Sequence, residues 1–290
     1  MQKKEIFSLS KKQIRKLTKN DPVIRDVVRL FFDKANRPKI TPLHLSVIHR
    51  KMEEKYHSWY VNEALKKLKK KKILSYQVAR TDSIRRITFF YPSIFDAEQS
   101  KKNQITKKIR KSCMLIEKYS NPKITRTLGK HLHSLIKAEL RAQGFTIVKE
   151  GRVKSYNNKK WIKTKHDLDM IAENKDRKMA IGLEIKNTLD TISKKEISTK
   201  IMICQELDII PVFACRWLRP YADEIQQKKG FPWQLNTQLY PLGMEELVKA
   251  IQKRFQFKVQ VRSELPTASI IAFEKWLKHY DKTDMVTGLN

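Results

Sequence analysis

Two acids and an amine stand out by type and spacing. Asp169 is followed, after fourteen residues, by Glu184-Ile185-Lys186. Two carboxylates at one spot make a hard oxygen site suited to Mg²⁺, with Mn²⁺ as an alternative. A lysine beside them can hold a phosphate or help ionise a water. For the three to meet, the chain between them must fold back. The stretch Lys165–Asn187 reads as a β-hairpin, with Leu168–Ala172 and Met179–Ile185 as apolar strands and Glu173–Lys178 as a polar turn. Side chains alternate faces along a strand. Met179, Ile181, Leu183 and Ile185 therefore share one face and suit a core, while Glu184 and Lys186 lie on the other. On the first strand Asp167, Asp169 and Ile171 share a face. Pairing of the two strands brings Asp169, Glu184 and Lys186 together at the open end of the hairpin.

Other elements must hold that hairpin. Lys130–Gln143 is an amphipathic helix with Leu132, Leu135, Ile136 and Leu140 on one face, ended by Gly144. A short strand, Phe145–Val148, follows it. After the hairpin, Ser193 caps a helix running to Leu207, with Ile197, Ile201, Cys204 and Leu207 inward, and Ile209–Cys215 is a buried strand beside the one carrying Glu184. Glu-x-Lys is cheap in a lysine-rich chain. It recurs at Glu53-Glu54-Lys55 and Glu173-Asn174-Lys175, but neither copy follows an alternating apolar strand. The plain alternative is a solvated Asp/Glu/Lys set on one sheet face.

This ordered set of helix, Asp strand, Glu-x-Lys strand, helix and strand resembles the PD-(D/E)xK (restriction-endonuclease-like) nuclease superfamily over roughly residues 128–216. The resemblance implies an α/β fold, a mixed sheet flanked by helices. It also implies a metal-dependent endonuclease: Asp169 and Glu184 bind Mg²⁺ with the Ile185 backbone carbonyl, Asp167 is a reserve ligand, and Lys186 orients the attacking water. Products would carry 5′-phosphate and 3′-hydroxyl ends. Many members of the family carry a metal-binding Glu on the first helix. Here His133 stands at that position, and Glu139 sits well round the helix from it. His131, His133 and His166 do not read as a zinc set, since no cysteine supports them and i,i+2 residues diverge on a helix.

The chain has 290 residues, 62 Lys plus Arg and 30 Asp plus Glu, for a net charge of +32. Such a field favours nucleic acid or an anionic surface. No apolar run approaches the roughly 20 residues of a membrane span, and the N-terminus lacks the apolar core of a signal peptide. The expected partner is double-stranded DNA, with no membrane association and a cytoplasmic, nucleoid-associated location. Three separated cysteines, Cys113, Cys204 and Cys215, suit a reducing compartment.

Residues 1–20 read as a basic arm. Asp21-Pro22 starts a helix, Thr41-Pro42 a second, and a third spans about Ser58–Lys71. Strands Ile73–Val78 and Ile84–Tyr91 follow. Three helices and a hairpin resemble a winged-helix domain over residues 21–92. That resemblance makes the third helix the recognition helix, offering His57, Ser58, Trp59, Asn62, Lys66 and Lys69 to DNA, with Arg80, Arg85 and Arg86 on the wing. A protein-contact module is the other reading. Residues 93–127 form a helical connector broken at Asn121-Pro122, and residues 128–290 the nuclease domain. The basic loop Lys149–Lys165 leads into the Asp169 strand. Its Lys160 suits a phosphate, and its Tyr156 and Trp161 suit either an exposed base or packing on the sheet. Lys200 is a candidate for a DNA phosphate or the edge of the site. Phe231–Tyr240 reads as irregular, and residues 231–290 either cover the sheet or dimerise. A double-strand cut needs two active sites, so a homodimer or a larger DNA-processing complex is expected. Two other functions stay open: a non-catalytic winged-helix regulator with an inactive nuclease-like domain, and a junction- or flap-specific nuclease.

Overall fold

The computed structural model describes residues 14–81 and 86–287, with residues 281–287 as backbone alone. The chain divides into two compact units, residues 1–121 with 249–257, and residues 122–248 with 258–290.

In the first unit residues 14–20, read above as part of an arm, are helical, and Ile14 is buried in the core because its side chain has an apolar surface to cover. Helix α1 (Pro22–Phe31) starts as its Asp-Pro signal dictates: the Asp21 side chain accepts from the Ile24 amide. Thr41-Pro42 does not start a helix. A two-residue strand, β1 (Leu43–His44), intervenes, and α2 (Leu45–Met52) begins after it. Helix α3 (Ser58–Lys70) buries Val61, Ala64, Leu65 and Leu68, the apolar positions at helical spacing. Strands β2 (Leu74–Ala79) and β3 (Ile87–Pro92) pair antiparallel, and β1 adds to β3, giving the order β1–β3–β2. The connector is a 22-residue helix, α4 (Gln99–Ser120). Residues 249–257, read from sequence with the second domain, group with this unit, where Arg254 Nε donates to Ser112 Oγ at 2.7 Å.

The second unit is α/β, a mixed five-stranded sheet flanked by helices. Helix α5 (Pro122–Ala142) starts at the proline expected to break the connector. Strand β4 (Thr146–Val153) is longer than the sequence suggested and bulged, and the small hairpin β5 (Ser155–Tyr156) and β6 (Lys159–Lys160) follows. The chemistry-bearing strands are β7 (Leu168–Asn174) and β8 (Met179–Lys186), then come α6 (Lys194–Leu207) and β9 (Ile210–Cys215). The 231–240 segment is not irregular. It supplies β10 (Phe231–Gln234) and β11 (Gln238–Tyr240), after α7 (Ala222–Gln227). Helix α8 (Glu245–Phe255), β12 (Val259–Val261) and α9 (Thr267–Thr287) complete the chain.

The sheet order is β10–β9–β8–β7–β4. Strand β8 pairs antiparallel with β7 and parallel with β9. One face, with Met170, Ile181, Leu183 and Ile185, is covered by α5 and by Phe273 and Leu277 of α9. Of the residues from 231 on, Phe231–Gln234 extend the sheet and α9 covers it. The other face is covered by α6, through Ile203, Cys204 and Leu207 against Leu168 and Ile171, and through Ile197 and Ile201 against Phe213. Among the described residues no helix is long and apolar enough to cross a membrane.

Candidate active site

Strands β7 and β8 deliver the acids. Their ladder ends at the pair Met170–Leu183, so Asp169 and Glu184 are the next residue on each strand and lie where the hairpin opens. Asp169 Oδ2 accepts from the Ile185 amide at 2.7 Å, which ties this carboxylate across to the Glu-x-Lys strand. Its side chain is about one-third exposed and reaches solvent. Glu184 differs. It is 5% exposed, under α6, and its Oε2 is buried. Burial, reinforced by the nearby negative charge of Asp169, raises its carboxyl to about 7 in spite of Lys200 and Lys186.

Helix α6 then meets β8 with a crossed charge pattern. Glu196 and Lys200 are four residues apart and share a helix face. Glu184 and Lys186 are two apart and share a strand face. Lys186 Nζ is bound to Glu196, and Lys200 Nζ stands 2.5 Å from Glu184 Oε2, an ion-pair contact without hydrogen-bond alignment. Lys200 Nζ also donates to the Asp167 carbonyl. Ser193 makes this register firm, since its hydroxyl caps α6 by accepting from the Glu196 amide at 3.2 Å. Gly182 lets the helix come close. A Cβ there would meet Leu168, Ile209 and Cys204 at 2.8–2.9 Å.

Asp169 and Glu184 thus lie where the hairpin opens, and Lys186, two residues on from Glu184, has its ammonium on Glu196. Lys200, expected at a DNA phosphate or at the edge of the site, is 5% exposed and has its ammonium on Glu184. Asp167 lies just before β7, half-buried, with its carbonyl taken by Lys200. His133 points in from α5, with Nε2 4.0 Å from Asp169 Oδ2, beside the carboxylate rather than replacing it. Glu139 is engaged elsewhere, accepting from Gln143 at 2.8 Å. Glu196 was missed, though its spacing to Lys200 was visible. The residues fit a divalent cation in donor chemistry: Asp169 and Glu184 offer carboxylate oxygens at one end of the hairpin, and the Glu184 oxygen already has a cationic partner in the Lys200 ammonium.

The flanking loop takes the packing alternative. Trp161 is 2% exposed with its Nε1 donating to Thr164, and the buried Tyr156 donates to Glu173 at 2.7 Å, so neither ring presents a face to a base. Lys160 is exposed on β6. In the first unit Trp59 is exposed and lines a cleft of about 400 Å³ with Asn62, Lys66, Lys69, Tyr76 and Arg86. Within it Asn62 is bonded to His49 at 2.9 Å, Lys66 pairs with Glu63 at 2.7 Å, and Lys69 Nζ lies 3.9 Å from the centre of the Tyr76 ring. Ser58 and His57 are exposed at the start of α3, where His57 caps the helix through Nδ1. Arg80 and Arg86 are exposed at the ends of β2 and β3, and Arg85 lies outside the described residues. No protein-family model, no curated protein and no solved structure matches this chain.

Proposed function

We propose that the protein is a Mg²⁺-dependent DNA endonuclease of the PD-(D/E)xK kind, with a winged-helix unit in its first part that holds the DNA. The observation that carries the proposal is the meeting of Asp169 and Glu184 at the open end of β7 and β8, with Lys186 two residues on. Asp169 and Glu184, with the Ile185 carbonyl, would hold the cation. When bound, it neutralises charge building on the scissile phosphate. Lys186 positions the attacking water. The water gives up a proton as its oxygen bonds to phosphorus, the bond to the 3′ oxygen breaks, and that oxygen takes up a proton from solvent, so one water is consumed per bond cut. Asp169, the more exposed acid, is the one that DNA meets first.

The winged-helix part of the proposal draws on the order of three helices and a β2–β3 hairpin, with β1 paired to β3. Exposed Trp59, Lys66, Lys69, Arg80 and Arg86 along α3 and the hairpin suit a duplex backbone and groove. The net charge of +32 draws the duplex in.

Incubation of supercoiled plasmid with Mg²⁺ or Mn²⁺ tests this. The wild-type protein nicks the plasmid, and chelation stops it. Asp169→Ala and Lys186→Ala lower the rate at least ~100-fold, the scale of losing a group that acts on the water or the charge. Lys66→Ala with Arg86→Ala weakens DNA binding and leaves metal binding unchanged. Nicking that persists in both active-site variants places the chemistry elsewhere. Salt-dependent binding with no cleavage of any DNA favours a regulator.

A further inference from the structure

We propose that Lys200 is a resident counterion: its ammonium holds the cation seat at Glu184 while no metal is bound, and yields it when a divalent cation enters. The inference rests on the reading of Asp169 and Glu184 as cation ligands.

The placement of Lys200 is unusual. Lysines are almost never fully buried unless paired, yet this one is 5% exposed on the inner face of α6, with Nζ on Glu184 Oε2 and on the Asp167 carbonyl. The two side chains are equally sheltered, 6% exposed each. A pair this dry is costly to assemble, and replacing such pairs with apolar residues is often neutral or stabilising. A purely structural pair has little reason to stand next to a second carboxylate, which weakens it. Asp169 is that second carboxylate.

Charge balance points the same way. Lys186 is paired with Glu196, and its pull on Glu184 is smaller than that of Lys200. Asp169 and Glu184 carry two negative charges when ionised, and Lys200 supplies one positive charge. One negative charge is left over, on Asp169 at the solvent-reaching side of the pair. A divalent cation in the same seat balances both acids. A cation on this carboxylate would stand within a few ångströms of the ammonium now 2.5 Å from Oε2, and two like charges that close repel. Lys200 is then a surplus positive charge beside the metal, and a DNA phosphate brings the single negative charge that matches it. Lys200 thus acts as a positioning residue in two states. It keeps Glu184 in place without metal, and it faces the phosphate once metal and DNA are bound.

The test is calorimetric titration of the DNA-free full chain with MgCl₂ at a pH above the value of about 7 to which Glu184 is raised. Wild type is compared with Lys200→Met, Lys200→Gln, Lys186→Met and Glu184→Gln. A repeat at higher pH removes proton competition. The two Lys200 variants bind Mg²⁺ at least ~5-fold more tightly, because a like charge a few ångströms from the cation is gone. Their metal-free melting temperatures fall, and Mg²⁺ raises them by more than it raises wild type. Lys186→Met raises Mg²⁺ affinity by less than either Lys200 variant, because the Lys186 ammonium sits on Glu196 and not on Glu184. Equal or weaker Mg²⁺ binding by both Lys200 variants, with wild-type binding lost in Glu184→Gln, overturns the counterion role alone. Wild-type Mg²⁺ binding that survives in Glu184→Gln, or no Mg²⁺ binding by wild type, overturns the site reading as well.

Discussion

Asn187 directly follows Lys186 and is 5% exposed. Its Nδ2 donates to the Leu128 carbonyl at 2.9 Å and the Leu239 carbonyl at 2.6 Å, its Oδ1 accepts from the Leu239 amide at 3.0 Å, and its own carbonyl accepts from Gln238. One side chain thus fastens the end of β8 to the start of α5 and to β11. Asn187→Leu strips partners from buried backbone groups, each worth about 1–3 kcal/mol. We expect the variant to lose at least about 2 kcal/mol in urea unfolding, and an unchanged midpoint would refute the fastening role. The sequence showed the trio because acids and amines at set spacings advertise chemistry, and alternation fixed their face. It hid Asn187 because a lone amide states nothing about partners 52 and 59 residues away. It hid the depth of Lys200 for a related reason. A lysine on a helix is usually solvated, and only the approach of α6 to β8 shows otherwise.

That approach is the decisive feature at the scale of elements. Gly182 faces α6, and a Cβ there would lie 2.9 Å from Cys204 Sγ and 2.8 Å from both Leu168 and Ile209. Gly182→Ala should therefore push α6 off the sheet or force off-rotamer side chains, at about 1–3 kcal/mol. The expected result is a lower melting temperature, and an unchanged one would mean that the helix is not seated as described. The core strands and α6 were legible because β7 and β8 alternate, and a serine cap and a helical apolar stripe mark α6. Strand β10 was not. Pro232 argues against a strand, but β10 is at the sheet edge, where a missing amide is tolerated. The stack of Trp233 on Phe273, with centroids 4.2 Å apart, shows what the C-terminal region does, and no local pattern foretold it. Thr41-Pro42 misled in the opposite way. The start signal was present, but pairing of Leu43 and His44 with β3 took those residues into a strand first.

For the molecule as a whole, the α/β class of the second unit and the helices-then-hairpin plan of the first were readable from periodicity. The grouping of residues 249–257 with the first unit was not, since one helix can belong to two cores without any change in its own pattern. A net charge of +32 favours an anionic partner without naming one. Metal-dependent cleavage requires that Asp169 and Glu184 form a seat for a divalent cation. Crystals of the full chain soaked in Mn²⁺ and measured for anomalous scattering answer that directly. We predict one strong peak within about 2.0–2.5 Å of a carboxylate oxygen from each acid, with Lys200 Nζ withdrawn from Glu184. Density showing both acids in place, the seat without manganese and Lys200 still on Glu184, in crystals that carry manganese elsewhere, would contradict it.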